Sequence, residues 1–308
     1  MTFAARDLLV SLAFFAVLYC SLSMLIVLGW RVAAWLRVRP SAGVSFALRI
    51  VSFAFSAVVT VLFTFPSFWL MERRSLDEDG GTFLLAACAF VIVGAGVFRF
   101  LRDRARTRCA VQEWRLRTWN GDTSAVKSGL GAAKGAPALM LTGVLHPRVM
   151  ISDVAASVLS ADELQVAIRH ELAHRRAWDN LKKVLLSATP FPGMSRLEMA
   201  WREEAELAAD NAAVENRQDA LDLAAALIKI SRSSKPASEP ALASGLVCGS
   251  SSIAVRVERL LEWRPAGRGL HRTWPWALLV TGVMCIAIAS HYGATLALTH
   301  RLTELLVP

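Results

Sequence analysis

Long stretches without a charged residue are the feature that most constrains this chain. Four such runs occur, at residues 8–30, 50–71, 80–98 and 273–299. A helix rises about 1.5 Å per residue, so about 20 residues cross a hydrocarbon core that is about 30 Å thick. The four runs therefore predict four transmembrane helices, and the positive mean hydropathy of the whole chain, +0.43, agrees with a membrane protein.

The distribution of arginines predicts how these helices are oriented. Arginines lie in the loop between the first two runs, after the third run and before the fourth, whereas the loop between the second and third runs is net acidic. Loops rich in arginine stay in the cytoplasm, so we expect both termini to be extracytoplasmic. The same clusters account for the net charge of +9 without a nucleic-acid partner.

These observations divide the chain into four parts. We expect three transmembrane helices within 1–101, a cytoplasmic domain at 102–272, a fourth transmembrane helix at 273–299 and a short extracytoplasmic tail at 300–308. The lipid bilayer of the cell's inner, cytoplasmic membrane is the first expected partner. No nucleic-acid motif occurs in the sequence, so no direct nucleic-acid binding is expected.

The polar block between the third and fourth runs predicts a mostly helical domain with a small β-hairpin. Residues 138–144 and 148–152 are rich in Val, Leu and Ile, with a turn at His146 and Pro147, and we expect the first strand to be an edge that can hold an extended substrate. Helices are predicted to begin at two capping boxes, Ser160 with Glu163 and Ser195 with Glu198. The fold class is therefore a mainly α membrane protein with a hairpin-containing cytoplasmic domain.

The stretch "RHELAHRRAWDN", residues 169–180, holds the strongest chemical signal of the chain. His170 and His174 are four residues apart, so on a helix they share one face and can bind one zinc ion. Glu171 follows the first histidine and is placed to act as the general base on a water molecule. The alternative is a charged helix face that matches the motif by chance.

A catalytic zinc ion needs a third protein ligand, and the later stretch "EAELAAD" offers one. Glu206 is the predicted ligand, with Asp210 four residues on to hold a ligand imidazole in place. Arg202 shares that helix face and is a weaker candidate for supporting the site, and Glu203 is a weaker candidate ligand. The alternative is that these acidic residues form a solvated stripe.

Two other polar residues, His146 and Asp179, each have two interpretations. His146 could donate to an oxyanion, but a turn residue before Pro147 is the simpler interpretation. Asp179 is expected on a helix surface, with support of a ligand as the alternative. Arg175 and its neighbours are too costly for the bilayer centre, so cleavage inside the membrane is not expected.

Four stretches together resemble the integral-membrane zinc metallopeptidases of the BlaR/MecR antirepressor type. They are "VLHPRVMIS", "LSADELQVAIRHELAHRRAWDNL", "FPGMSRLEMAWREEAELAADNAAV" and "IAVRVERLL", and they cover about residues 140–262. The resemblance implies a gluzincin-like protease domain facing the cytoplasm, with one zinc ion per chain on His170, His174 and Glu206 and with Glu171 as base. It also implies a transcriptional repressor as substrate and self-cleavage on activation.

One difference from the best-known members limits what the resemblance implies. Those members continue after the fourth span into an extracellular penicillin-binding sensor, whereas this sequence ends at Pro308. Direct β-lactam sensing is therefore not expected, and a separate sensor protein is the expected source of the signal.

Two other functions remain open at this stage. The HtpX-like membrane proteases share H-E-x-x-H and a later E-x-x-x-D spacing, which here joins Glu206 to Asp210, and they would imply quality control of membrane proteins. A non-catalytic signal transducer with a structural metal site is the third possibility.

Overall fold

A computed structural model describes residues 3–37, 41–71, 80–117, 130–132, 139–233, 244–245, 250–264, 290 and 292–306. Its helices and strands are α1 Phe3–Trp35, α2 Ala42–Val59, a π-helical turn Thr60–Thr64, α3 Phe65–Met71, α4 Gly80–Arg117, β1 Leu130–Ala132, β2 Leu139–Thr142, β3 Arg148–Ile151, α5 Asp153–Val158, α6 Ala161–Arg176, α7 Asp179–Ala188, α8 Ser195–Ala213, α9 Arg217–Ser233, β4 Ser244–Gly245, α10 Ser250–Leu261 and α11 Tyr292–Leu306.

Three of these helical segments are long and apolar enough to cross a membrane, namely Ala5–Trp35, Ala42–Met71 and Gly81–Gln112. They contain the first three predicted spans. The second segment begins before residue 50, so Arg49 lies inside a helix. Its charge had suggested instead that it belongs to the loop between the first two spans. Most of the fourth predicted span, at 273–299, lies outside the described residues, and α11 covers its end and continues to Leu306.

The sheet has four strands in the order β1-β3-β2-β4. Strands β2 and β3 pair antiparallel with Met140 opposite Met150, so the predicted hairpin is confirmed. The expectation that the first hairpin strand is an edge is wrong. Strand β4 pairs with the other side of β2, where Gly245 lies opposite Met140, so both sides of β2 are hydrogen-bonded.

A hydrophobic core holds α6 against the sheet and the later helices. Its members come from β2, α5, α6, α8, α9 and α10, and its fully buried residues include Leu139, Ala167, Leu223 and Leu227. Burial of each such leucine contributes about 1.5–3 kcal/mol, so this cluster fixes which face of α6 points inward.

A second cluster joins the membrane helices to the domain. Leu186 of α7 and Trp201 and Ala205 of α8 pack against Ala42, Phe46 and Ile50 of α2. The rings of Phe46 and Trp201 lie 6.2 Å apart, and Trp201 is 1% exposed. Helix α8 is therefore packed directly on the end of the second span.

Three of the five cysteines lie in the described part of the chain and are free thiols: Cys20, Cys88 and Cys109. The other two, Cys248 and Cys285, lie outside the described residues.

Candidate metal centre

The first turn of α6 is fixed by a capping box. The Ser160 hydroxyl accepts a hydrogen bond from the Glu163 N–H at 3.2 Å, and the Glu163 carboxylate accepts one from the Ser160 N–H at 2.8 Å. This predicted box is confirmed. Counted from this start, His170, Glu171 and His174 all fall on the buried face of the helix.

The N-terminus of α8 is not capped in the way that the sequence predicted. Ser195 was expected to cap the helix with Glu198, but the N-cap residue is Met194 and makes no side-chain cap. Glu198 instead accepts a hydrogen bond from Arg49 of the second span at 3.0 Å. The second capping box is therefore wrong, because a buried guanidinium takes the carboxylate that the cap would have used.

His170, His174 and Glu206 come together at one point between α6 and α8. The two Nε2 atoms of the histidines are 3.2 Å apart. Glu206 Oε2 lies 3.6 Å from His170 Nε2, and Glu206 Oε1 lies 3.5 Å from His174 Nε2. The predicted residues thus share one site, and its atoms are close enough for one metal ion to contact all three side chains.

These distances fit a tetrahedral ion. Ligand atoms placed about 2.0–2.1 Å from a zinc ion at tetrahedral angles are about 3.3–3.4 Å from each other. The 3.2 Å between the two Nε2 atoms lies close to this value, and each Nε2 atom has one oxygen of the Glu206 carboxylate at 3.5 or 3.6 Å. Two imidazoles and one carboxylate leave a fourth coordination position, as in catalytic zinc sites.

An aspartate lies behind each histidine, hydrogen-bonded to His174 and at ion-pair distance from His170. Asp179 Oδ2 lies 2.7 Å from His174 Nδ1, and Asp210 Oδ1 lies 3.0 Å from His170 Nδ1. Both aspartates are nearly fully buried. A carboxylate on Nδ1 keeps a proton on that nitrogen, which leaves Nε2, beside Glu206, as the atom of each ring that would bind a metal ion.

Asp179 is therefore not the surface residue that the sequence favoured. Trp178, just before it, has a φ of 57°, in the left-handed region that non-glycine residues rarely adopt. This residue ends α6 and turns the chain so that α7 begins with Asp179 against His174. The spacing of five residues does not match a helical face, so no pattern in the sequence indicated the contact.

Arg256 of α10 is a site residue that sequence reasoning missed. Its guanidinium donates to both oxygens of Asp210, at 2.7 and 2.8 Å, and to Glu206 Oε2 at 2.9 Å. The side chain is 1% exposed. A fork of donors suits two neighbouring carboxylates, so Arg256 fixes both acidic residues of α8 relative to each other.

Glu171 lies fully buried at the same place. Its negative charge is near enough to His174 and to Arg256 to favour the protonated form of both. The predicted general base therefore sits beside the cluster and inside the domain.

Comparison with known families agrees with this geometry. Residues 82–260 match the model of the family described as BlaR1 peptidase M56, which is more than half of the chain. The chain belongs to this family. No curated protein matches it.

In this M56 family member, the buried charged groups of the cluster shift one another's pKa values. Burial works to lower the pKa of His174, but Asp179 and Glu206 outweigh it and raise this pKa to about 10. Burial acts likewise on His170, where Asp210 and Glu206 raise the pKa. Burial would raise the pKa of Glu206, yet the two histidines hold it well below its usual value.

Two weaker candidates lie away from the cluster. Arg202 and Glu203 are exposed on α8. The support predicted for Arg202 comes instead from Arg256, which donates to the carboxylates of Asp210 and Glu206. The interpretation of the whole acidic stretch as a solvated stripe holds for Glu203 but not for Glu206 or Asp210.

His146 lies at the turn of the hairpin, as its simpler interpretation predicted. It is exposed and lines a cavity of about 740 Å³ between α4 and the β2–β3 turn, together with Arg108 and Arg148. Asn180, which follows Asp179, holds this turn by donating to the carbonyl oxygen of Gly143 at 2.8 Å. The hairpin is thus tied to the residue next to the metal cluster.

Proposed function

We propose that this chain is a zinc-dependent endopeptidase of the inner membrane that cleaves a cytoplasmic regulatory protein, such as a transcriptional repressor, during signal transduction. The observation that carries the proposal is the meeting of His170, His174 and Glu206 at tetrahedral spacing, with Glu171 buried beside them. Membership of a peptidase family supports it independently.

The residues of the chain have distinct roles in this proposal. A zinc ion on His170, His174 and Glu206 would act as a Lewis acid toward a scissile carbonyl and a water molecule. Glu171 accepts a proton from the attacking water and delivers it to the leaving amine. Asp179 holds His174 in the tautomer that points Nε2 at Glu206.

The location of the cluster favours cleavage outside the hydrocarbon core. Helices α6 and α8 are not among the candidate membrane-spanning segments, and Arg175 and Arg176 at the end of α6 are exposed. By the positive-inside rule, the arginines that follow the third span support a cytoplasmic location for this domain. A fourth span at 273–299 then puts the C-terminus outside, like the N-terminus.

The proposed substrate is a winged-helix repressor, and the proposed source of the signal is a separate sensor protein. The family match favours this function over an HtpX-like role in membrane-protein quality control. Glu171, buried beside a site with a fourth coordination position, argues against a purely structural metal site.

The test uses the full chain in lipid nanodiscs, with casein as one substrate and, as the other, a winged-helix repressor if a neighbouring gene encodes one. The wild type should contain one zinc ion and cleave the repressor. Glu171→Gln should keep the zinc and lose at least about 10²-fold in kcat, because the proton acceptor is gone. Glu206→Gln should lower zinc content.

Glu203→Gln is the matched control, since Glu203 is exposed on the helix that carries Glu206. It should retain zinc and activity. Wild-type cleavage by Glu171→Gln would refute the mechanism, and cleavage of casein or membrane proteins without cleavage of the repressor would favour quality control.

A further inference from the structure

Arg49 is a buried charge in the second candidate span. Its side chain is 0% exposed, and all three of its nitrogens are used. Nε donates to Glu198 Oε1 at 3.0 Å, Nη1 donates to Thr189 Oγ1 at 3.3 Å, and Nη2 donates to the carbonyl oxygen of Thr189. An ionisable group in a membrane helix is costly, so such a complete set of partners marks a functional position.

The length of the span explains how an arginine can be there. The segment Ala42–Met71 has 30 residues, or about 45 Å of helix, which exceeds a hydrocarbon core of about 30 Å. The charge-free part of this segment, residues 50–71, is long enough to cross the core by itself, so residues 42–49 can project from the bilayer. Arg49 lies near the end that packs on Trp201 of α8, so its guanidinium belongs to the contact between the membrane part and the domain.

The partners of Arg49 lie at the two ends of one loop. Thr189 follows the last residue of α7, and Glu198 is in the first turn of α8. This joining loop, residues 189–194, connects the unit that carries His170, His174 and Asp179 to the helix that carries Glu206. Arg49 thus binds residues near both ends of the loop that joins these two parts of the metal centre.

The other two described spans contact the same joining loop. The Tyr19 hydroxyl of α1 donates to the carbonyl oxygen of Pro190 at 3.0 Å, and the Tyr19 ring lies edge-on to Phe191 at 5.5 Å. Gly96 of α4 lies so close that a Cβ there would overlap the carbonyl oxygen of Ala188 and approach the Pro190 ring to 3.2 Å. Three membrane helices therefore converge on one loop.

Helix α8 can carry a shift of this loop to the metal centre. Glu198 and Glu206 are on the same helix, about 12 Å apart along its axis. Packed helices move as rigid bodies, and metal ligands tolerate only about 0.2 Å of error in their distances. A small change at Glu198 therefore changes the fit of Glu206 to an ion held by His170 and His174.

We propose that Arg49 is a positioning residue for the metal centre, which sets the place of Glu206 by holding Thr189 and Glu198 from the second span. Movement of the spans then acts on the site through the joining loop. This inference rests on the proposed zinc site, and it assigns the regulation of that site to a specific contact between membrane and domain.

The test measures zinc binding and not only activity. The full chain in nanodiscs is titrated with zinc against a competing chelator, and the cobalt(II)-loaded protein gives a visible spectrum that reports ligand geometry. Arg49→Gln should raise the zinc Kd about tenfold and change the cobalt spectrum. Arg49→Lys, which keeps the charge but not the fork of donors, should lie between Arg49→Gln and wild type.

Arg102→Gln is the matched control, because Arg102 is also an arginine on a membrane helix but is half-exposed and pairs with its neighbour Asp103. It should leave Kd and spectrum unchanged. With casein, Arg49→Gln should lower kcat and keep KM, because Arg49 acts on the ligand set. A merely structural role would lower the melting temperature of Arg49→Gln without moving its spectrum.

If Arg49→Gln does not fold, two further variants test the positioning role of Arg49. Tyr19→Phe removes one hydroxyl from the loop contact, and Glu198→Gln removes one charge, so both should shift the spectrum in the same direction by less. Wild-type Kd and spectrum in every folded variant would overturn the inference. A wild type that binds zinc but cleaves nothing would refute the proposed function alone, and one that binds no zinc would refute both.

Discussion

His174 Nδ1 lies 2.7 Å from Asp179 Oδ2, and both side chains are buried. The other oxygen of Asp179 lies 3.0 Å from the Lys182 ammonium, so the carboxylate is held on both sides. Burial would raise the pKa of Asp179, but His174 and Lys182 keep it below its usual value. An ionised Asp179 therefore faces His174 and orients its ring.

Asp179→Asn should weaken zinc binding by about 10- to 100-fold, because the amide keeps the size of the carboxylate but not its charge. The measurement is the zinc Kd by chelator competition. Asp162→Asn, which changes an exposed aspartate in the first turn of the same helix, should leave Kd unchanged. Equal Kd values for the two variants would show that Asp179 does not support the ligand.

Arg256→Met should destabilise the zinc-free protein by about 3–5 kcal/mol, because it leaves the carboxylates of Glu206 and Asp210 buried without their cation. Arg256→Lys should recover only part of this loss, since one ammonium cannot reproduce contacts to three oxygens. Thermal unfolding in detergent measures both effects. Zinc should raise the melting temperature of every variant that still binds it.

Arg259→Lys tests whether any arginine of α10 would have the same effect. Arg259 bonds to Asn211 on the exposed surface, at 3.0 Å. Its replacement should change the free energy of unfolding by less than about 0.5 kcal/mol. A loss as large as that of Arg256→Met would mean that the stability comes from the helix and not from the buried contact.

Local patterns predicted the parts of this molecule that one helix or one hairpin decides. The capping box of α6 and the spacing of His170 and His174 depend on residues within one helix, and the hairpin depends on one turn. Glu206 and Asp210 were found because a separate helix offered two acids at the same spacing. Each of these patterns involves residues that are close together in the sequence, so it can be recognised without knowledge of the packing.

Contacts made by tertiary packing could not be predicted in this way. Arg256 and Asp210 are 46 residues apart, and Arg49 and Glu198 are 149 residues apart. An arginine carries no sign of which carboxylate it will meet, so Arg49 was grouped with the loop arginines and Arg256 was not considered as a site residue. Asp179 was misplaced for a different reason, namely the left-handed turn at Trp178, which breaks the helical spacing.

The stability that Glu163 contributes should depend on pH. Burial would raise the pKa of Glu163, but Lys229 at 2.8 Å and the Ser160 N–H lower it. Because the pKa is lower in the folded state, the contribution is present above the unfolded value near 4.5 and is lost as pH falls through the folded value.

Glu163→Gln and Glu163→Ala separate the two roles of this side chain. Glutamine keeps the capping box and loses the ion pair, so it should cost about 1 kcal/mol or less at pH 7, because Lys229 is partly exposed. Alanine should cost about 1 kcal/mol more. Chemical unfolding at a series of pH values from 7 downward measures this, and the difference between wild type and Glu163→Gln should shrink below about pH 4.5 as the carboxylate becomes protonated.

Gly96 of α4 should tolerate no side chain, unlike Gly94 two residues earlier. A Cβ on Gly96 would overlap the Ala188 carbonyl oxygen and approach the Pro190 ring to 3.2 Å, whereas a Cβ on Gly94 would meet open space. Gly96→Ala should therefore cost about 1–3 kcal/mol in thermal unfolding, because the joining loop must move away from the third span.

Gly94→Ala provides the comparison for this last change, since it adds the same methyl group to the same helix without a contact. It should cost nothing, because alanine favours a helix over glycine by about 1 kcal/mol. Zinc Kd should rise with Gly96→Ala and not with Gly94→Ala. If both variants bind zinc as tightly as wild type while Gly96→Ala is destabilised, the third span stabilises the loop without affecting the metal centre.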